Sequence, residues 1–178
     1  MFRMISAIAV FALLFAGVPA KASDLQSHFA VATEAHHLPD FVFEDANGKS
    51  MTLADFRGHP VLLNLWATWC GPCVRELPSL DQLQVSMASD GLVVLAVDTE
   101  RNGVDVAKTY FAQHDVKDLA VYNDPSGHIG STLHVRGLPT SFLINAEGIV
   151  SGRVEGGVYW SSPEAVAFLR ARLAQPIP

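Results

Sequence analysis

The chain has 178 residues, of which 49% are hydrophobic, and this length suits the core of one domain. Its formal net charge of −6 becomes −8 without residues 1–22, because that segment contains Arg3 and Lys21 and no acidic residue. The negative charge argues against nucleic acid as a partner. Two cysteines are too few to hold a fold together by disulfides, so they are free to be reactive.

Residues 1–22 have the layout of a secretory signal. Arg3 precedes an apolar run of fifteen residues from Met4 to Val18, and small residues then occupy the A-x-A positions Ala20 and Ala22. We expect cleavage after Ala22; the alternative is a retained N-terminal anchor, although a membrane helix needs roughly 20 apolar residues. Either way we expect a periplasmic or other extracytoplasmic domain, where a dithiol needs a dedicated electron donor to remain reduced.

Residues 23–38 are polar and weakly patterned, and we interpret them as a flexible lead-in that offers too few ligands for a metal site. The domain is predicted to span residues 39–178. At its start, two short hydrophobic stretches at 41–43 and 51–53 flank the turn Asn47-Gly48. This pattern predicts a β-hairpin ahead of the core.

An apolar run from Val61 to Trp66 predicts a buried strand, and a helix is predicted from about residue 71 to residue 88. Between them stands the motif Trp69-Cys70-Gly71-Pro72-Cys73. Two intervening residues let the sulfurs meet across one helical turn, and Pro72 suits an opening helical position because it has no N–H to lose. The pair can therefore cycle between a dithiol and a disulfide.

Position alone separates the roles of the two cysteines. Cys70 lies at the helix N-terminus, where unsatisfied N–H groups and the helix dipole favour a thiolate. Cys73 lies one turn further in, and its sulfur faces Cys70 rather than solvent. We therefore predict that Cys70 attacks and that Cys73 resolves the mixed disulfide.

The remaining elements alternate between strands and helices. The pattern predicts helices over 104–114, near 127–133 and from Pro163 to about 173, the last capped by Ser161 or Ser162. Strands are predicted over 92–97, 119–122, 141–145 and 149–155. This order predicts an α/β fold with a mixed sheet, whose parallel part is joined by right-handed crossovers.

Around the two cysteines the sequence resembles the thioredoxin superfamily, and more narrowly its extracytoplasmic TlpA/ResA-like branch, which includes the cytochrome c maturation reductases called CcmG or DsbE. The resemblance covers about residues 39–174, and the cysteine motif after an apolar strand is specific. It implies a thioredoxin-like fold, a mixed central sheet flanked by helices, with an added N-terminal β-hairpin. We expect a monomer with no cofactor beyond the redox-active disulfide Cys70–Cys73.

Pro139 is the second landmark. By itself, a proline at the start of a strand can simply mark an edge. The resemblance implies instead that the Leu138–Pro139 bond is cis, that Pro139 lies against the active-site disulfide and that the Leu138 backbone receives the substrate chain. The substrate is then expected to contact Leu138 and Pro139 together with Trp69, Gly71 and Pro72, with Trp69 on the rim of the site.

Glu76 follows Cys73 by one helical turn, which can bring its carboxylate towards the resolving sulfur. The simpler interpretation is a solvated acid near a helix N-terminus. The resemblance favours a functional role, because ResA-like and CcmG-like proteins use a glutamate at this offset. Small thioredoxins instead use an aspartate six residues before the first cysteine, where this chain has Asn64. We therefore assign Glu76 as the proton shuttle, and we interpret Trp66 and Trp160 as structural.

We expect a thiol–disulfide oxidoreductase, and the Gly-Pro pair between the cysteines resembles reducing family members. In that family the substrates are often cysteines of apocytochrome c or of copper-site assembly factors, with electrons relayed from a membrane thiol donor. Two alternatives remain. The first is a peroxiredoxin-like peroxide reductase, although the sequence around Cys70 does not fit a peroxidatic cysteine. The second is a metal-binding module, although a structural zinc site needs about four ligands and we assign no metal ligands here.

Overall fold

The structure is a computed structural model that describes Leu25, residues 28–101 and residues 103–175. The predicted secretory signal at residues 1–22 lies outside these residues. Within them, eight strands form one sheet in the order β1-β8-β7-β4-β5-β6-β2-β3. The strands are β1 (Phe29–Val31), β2 (Phe43–Asp45), β3 (Ser50–Met51), β4 (Val61–Trp66), β5 (Val93–Asp98), β6 (Tyr122–Asn123), β7 (Thr140–Ile144) and β8 (Val150–Glu155).

Four α-helices accompany this sheet in the described part of the chain, together with 3₁₀ turns at Leu53–Phe56 and Ala88–Asp90. The α-helices are α1 (Gly71–Ser86), α2 (Val104–Gln113), α3 (Ile129–Thr132) and α4 (Pro163–Leu173). Ser162 caps α4, because its hydroxyl oxygen accepts a hydrogen bond from the Ala165 N–H. None of the helices found in residues 28–101 and 103–175 has the length and apolar character to cross a membrane.

At the centre of the sheet, the ends of three strands meet on one side. β4 is parallel to β5, with Trp66 beside Asp98, and antiparallel to β7, with Leu65 beside Thr140. All six residues of β4 are buried, as its continuous apolar run predicts. The carboxyl ends of β4 and β5 and the start of β7 therefore meet at the edge where the cysteine motif begins.

Alternate residues of the central strands face two separate cores. Leu62 and Trp66 of β4 face a core that contains α1, α2 and α4, whereas Leu63 and Leu65 face a core that contains α3 and residues near β2. The sheet is thus covered by helices on both faces, which confirms the predicted thioredoxin-like fold. The predicted hairpin is present as β2 and β3, with Phe43 beside Met51, but it is short because Thr52 already begins a 3₁₀ turn.

The strand predicted over 119–122 is wrong for most of its length, since β6 contains only Tyr122 and Asn123. At the start of the predicted strand the backbone is bound instead by the carboxylate of Asp81 on α1. Its Oδ1 accepts hydrogen bonds from the backbone N–H groups of Lys117, Asp118 and Leu119, at 3.1, 2.7 and 2.9 Å. These N–H groups therefore serve a helix side chain rather than a strand partner.

The interpretation of residues 23–38 as a flexible lead-in is also wrong for residues 29–31, which form β1 against β8. Phe29 is buried, and its ring meets that of Phe168 edge-on at a centroid distance of 4.9 Å. Gly152 of β8 makes this possible, because a Cβ there would lie 2.2 Å from the Phe29 ring and 2.7 Å from the Ala30 carbonyl oxygen. A strand of three residues is too short for its period to be recognised in the sequence.

Candidate active site

The two cysteines stand where β4 gives way to α1. Cys70 is the N-cap of the helix, and it forms a disulfide with Cys73. The Cys73 N–H donates to the Cys70 Sγ at 3.3 Å, so the sulfur takes the place of the usual capping oxygen. Pro72 lies in the first turn, where its missing N–H leaves no gap in the helix.

This position makes the two sulfurs unequal. A thiolate on Cys70 would keep the hydrogen bond from the Cys73 N–H and would lie at the positive end of the dipole of α1. Cys70 is 5% exposed and Cys73 is fully buried. Both residues are thus buried, and Cys70 is the less buried of the two.

The Leu138–Pro139 peptide bond is cis, which confirms that prediction. Pro139 is buried and precedes Thr140, the residue of β7 that lies beside Leu65 of β4. Its carbonyl oxygen accepts a hydrogen bond from the Gly156 N–H at 2.9 Å. Leu138 and Pro139 are thus held at the sheet edge from which the Trp66–Cys70 segment emerges.

The carboxylate of Glu76 is buried under α1, with only 4% of the residue exposed. Its Oε1 accepts a hydrogen bond from the Asn64 amide at 2.7 Å. Its Oε2 accepts from the Val158 N–H at 2.9 Å and from the Trp160 indole N–H at 3.3 Å. Glu76 is therefore not the solvated helix acid of the simpler interpretation.

Burial raises the pKa of Glu76 to about 7, although the hydrogen bonds from Val158, Asn64 and Trp160 oppose this by favouring the charged form. A carboxyl group with a pKa near neutrality can both take and give a proton at physiological pH. Glu76 also lies near the cysteine motif, because a Cβ placed on Gly157 would be 3.9 Å from its Oε2 and 3.4 Å from the Pro72 carbonyl oxygen.

The sequence did not reveal the partners of Glu76. Trp160, interpreted as structural, is 84 positions from Glu76 and yet donates to it. Ser79 joins the same group, since its hydroxyl oxygen accepts from the Trp160 backbone N–H at 3.0 Å. Asn64 stands where small thioredoxins have an aspartate, and in the structure its amide is the closest donor to Glu76. Contacts over such separations leave no periodic signal in a single sequence.

The surface around Cys70 is open and partly aromatic. Trp69 is 72% exposed, and Gly71 and Pro72 are exposed as well. Tyr159, which the sequence did not single out, is 66% exposed beside Val158. In the described ranges no group of three or more His, Cys, Asp or Glu side chains is arranged to hold a metal ion.

A profile of the AhpC/TSA family matches residues 35–153 of this chain. The chain belongs to the AhpC/TSA family. Within it, the chain is similar to the thiol-disulfide oxidoreductase ResA of Bacillus thuringiensis subsp. konkukian, with 39% identity over 118 residues that cover 66% of this chain and 67% of the relative. This similarity confirms the predicted TlpA/ResA-like membership.

Two solved structures extend the comparison. The thiol:disulfide interchange protein DsbE from Chlorobium tepidum shares 31% identity with a TM-score of 0.65, covering 79% of this chain and 94% of that one. The exposed lipoprotein thioredoxin Etrx1 of Streptococcus pneumoniae shares 30% identity with a TM-score of 0.61, covering 75% and 99%. Together with the Cys70–Cys73 disulfide, these relatives identify the chain as a thiol–disulfide oxidoreductase.

Proposed function

We propose that the protein reduces disulfides of other proteins outside the cytoplasm. The observation that carries this proposal is a Cys70–Cys73 pair at the N-terminus of α1, in which Cys70 is the N-cap and is less buried than Cys73. An N-capping sulfur at the positive end of a helix dipole is suited to attack, and a fully buried neighbour one turn away is suited to close the ring. The Gly-Pro pair between the cysteines supports the reducing direction.

The reaction transfers two electrons from the enzyme dithiol to the substrate disulfide. The Cys70 thiolate attacks one substrate sulfur, the substrate S–S bond breaks, and the second substrate sulfur leaves as a thiolate. Cys73 then loses its proton, attacks the Cys70 Sγ and releases the first substrate sulfur as a thiolate. Both substrate thiolates are protonated, and the enzyme is left with the Cys70–Cys73 disulfide.

Glu76 is the proton acceptor for Cys73 in this proposal. The carboxyl lies one helical turn beyond Cys73, is shielded from solvent, and has its pKa raised by burial to about 7. A base with a pKa near the working pH is effective in taking the proton of a buried thiol. Glu76 later gives the proton to solvent, or back to the Cys73 thiolate when the Cys70–Cys73 disulfide is reduced again.

The substrate chain is proposed to lie across the exposed surface of Trp69, Gly71 and Pro72, with its backbone along Leu138 and Pro139. Cysteines of apocytochrome c or of copper-site assembly factors fit such a reductase, and a membrane thiol carrier would return the enzyme to its dithiol form. An exposed or secreted location is supported by the lipoprotein relative of Streptococcus pneumoniae and by the signal pattern at residues 1–22.

Trapping the mixed disulfide tests the proposal. Cys73→Ala leaves Cys70 able to attack but removes the sulfur that resolves the adduct, so we expect covalent adducts with substrate proteins to accumulate in cells. The adducts are separated under non-reducing conditions and identified by mass spectrometry. Cys70→Ala is the matched control, and it is expected to accumulate none.

Adducts on Cys70→Ala instead of Cys73→Ala would reverse the assignment of the two sulfurs. If neither variant forms adducts while the purified dithiol consumes peroxide at an appreciable rate, the peroxide-reductase alternative replaces this proposal. Stoichiometric zinc or copper in the purified, reduced protein would favour the metal-binding alternative.

A further inference from the structure

Two further acidic side chains, Asp98 and Glu100, lie next to the segment that leads to Cys70. Asp98 ends β5 beside Trp66, and Glu100 follows it by two residues. The Thr68 N–H donates to the Glu100 Oε2 at 2.6 Å. The Thr99 N–H and hydroxyl also donate to the Trp66 carbonyl oxygen, at 3.0 and 3.1 Å. The segment after β5 therefore holds the backbone on which Cys70 is mounted.

Asp98 is fully buried, and only one of its two carboxyl oxygens accepts a hydrogen bond. Oδ1 accepts a hydrogen bond from the Glu100 N–H at 3.1 Å. Oδ2 is buried and finds no donor in the described part of the chain, so an ionised Asp98 would leave a charged oxygen unsatisfied. The Asp98 and Glu100 side chains are within hydrogen-bonding reach of each other, so a protonated Asp98 can donate to the Glu100 carboxylate.

The charges that face Asp98 come from two segments. Glu100 lies on its own segment, and Asp124, which follows β6, adds a second negative charge. Arg101 places its side chain against Gly127, in the turn that Asp124 begins. The loop before Cys70 contributes no charge there, only the Thr68 backbone, and from α2 the ring of Tyr110 packs on Trp66.

These surroundings agree with a retained proton. Burial, followed by the charge and hydrogen bonding of Glu100 and the charge of Asp124, raises the pKa of Asp98 to about 7, against the opposing hydrogen bond from the Glu100 N–H. The Asp124 carboxylate accepts hydrogen bonds from the N–H groups of Gly127 and Ile129 in its own turn.

We propose that Asp98 and Glu100 form a proton-sharing pair that positions the Thr68–Cys70 segment and couples its protonation to that of Cys70. With one proton the pair carries one negative charge and holds the Thr68 N–H. When the proton leaves, a second negative charge is added behind the loop and disfavours the Cys70 thiolate. Asp98 and Glu100 are thus positioning residues, and the idea rests on Cys70 being the attacking sulfur.

Coupling between two titrating groups is reciprocal, so whichever group ionises second shows the effect. The test uses the background Cys73→Ala/Glu76→Gln, which leaves one thiol and removes the other buried acid with a pKa of about 7. Asp98 is followed by carboxyl NMR with aspartate-selective labelling, and Cys70 by thiolate absorbance, from about pH 5 to about pH 9. The comparison variants are Asp98→Asn and Cys70→Ser.

We expect either Asp98 to ionise at lower pH in Cys70→Ser or Cys70 to ionise at lower pH in Asp98→Asn. The expected shift is about half a pH unit or more, equivalent to about threefold in the ionised fraction. Asp105→Asn, which removes an exposed charge on α2, is the control and is expected to change neither midpoint. Unchanged midpoints in both variants would overturn the proposal, whereas a Cys70 that never ionises would overturn its assignment as nucleophile.

The positioning role has its own measurement. Glu100→Ala removes the acceptor of the Thr68 N–H, while Glu100→Gln retains a side-chain oxygen for it. We expect the Thr68 amide to exchange with solvent about tenfold faster or more in the alanine variant, with protection restored by glutamine. Equal exchange in the two variants would show that Glu100 does not hold the segment. If Asp98→Asn fails to fold, the ionisation of Asp98 can still be measured in Cys70→Ser, and the exchange of the Thr68 amide can still be measured in the Glu100 variants.

Discussion

At the scale of single residues, Glu76 combines two opposing influences. Burial disfavours its charge, while three donors, on Asn64, Val158 and Trp160, favour it. The result is a carboxyl whose pKa is about 7 instead of 4.5. Removing a donor is therefore expected to raise the pKa of Glu76 further, and removing the carboxyl is expected to take away the proposed proton acceptor of Cys73.

We predict that Glu76→Gln slows the resolving step about tenfold or more, because the amide cannot take the Cys73 proton, while the fold remains intact. Trp160→Phe keeps the carboxyl but removes one donor, so its pH profile should move to higher pH. Both are measured by stopped-flow decay of a preformed mixed disulfide across pH.

Glu147→Gln serves as the matched control, since Glu147 is exposed in the turn between β7 and β8. It should behave as the parent protein does. If the pH dependence of the resolving step is the same in Glu76→Gln as in the parent, Glu76 has no part in the proton transfer.

At the scale of elements, the sequence pattern predicted the helices and strands whose formation depends on neighbouring residues. The buried strand at Val61–Trp66, the helix beginning at Gly71 and the cap at Ser162 were all predicted within a few residues. β1 was missed because its pairing is set by an open strand edge far along the chain. The donors of Glu76 and the shortened β6 were missed for the same reason, since both depend on contacts made after folding.

β1 therefore provides a test of a contact that only the structure reveals. We predict that Gly152→Ala displaces β1, because its new Cβ would lie 2.7 Å from the Ala30 carbonyl oxygen, a backbone atom that cannot move alone. The loss should be about 1–3 kcal/mol of unfolding free energy. It should also give faster amide exchange at Ala30 and Ala32, measured by urea unfolding and by hydrogen exchange.

Gly130→Ala is the control for the added methyl group, because a Cβ at Gly130 meets nothing within 4 Å. It should leave the unfolding free energy and the exchange of β1 nearly unchanged. A Gly152→Ala protein as stable as Gly130→Ala, with β1 still protected, would show that the strand does not depend on this close approach.

At the scale of the whole molecule, two acids are buried on the same side of the sheet. Asn64, which holds Glu76, and Asp98 both lie on the face of β4 and β5 that also carries Trp66 and packs against α1 and α2. Glu76 lies across Gly157 from Pro72, and Asp98 is hydrogen-bonded by the N–H of Glu100, whose carboxylate in turn holds the Thr68 N–H. The fold thus keeps two protonatable carboxyls close to a reaction that moves two protons.

We predict that this arrangement makes the oxidised protein less stable as pH rises from about 5 to about 8. Glu76 and Asp98 have pKa values of about 7 in the folded state and near 4 when unfolded, so the folded state binds their protons more tightly. Their contribution to stability is complete below the unfolded values and is lost as pH rises through 7. The expected loss is about 3 kcal/mol for each group, measured by urea unfolding without reductant.

Asp45 and Asp55 affect stability at lower pH. Hydrogen bonds from the Lys49 and Asn47 N–H groups lower the pKa of Asp45, and hydrogen bonds from Thr52 lower that of Asp55. Their stabilisation is already complete above about pH 4. The double variant Glu76→Gln/Asp98→Asn should therefore show nearly constant stability between about pH 5 and about pH 8, while Asp105→Asn should follow the parent protein. A parent protein whose stability does not fall over this range would mean that neither acid keeps its proton in the fold, and both proton-handling roles would then lose their basis.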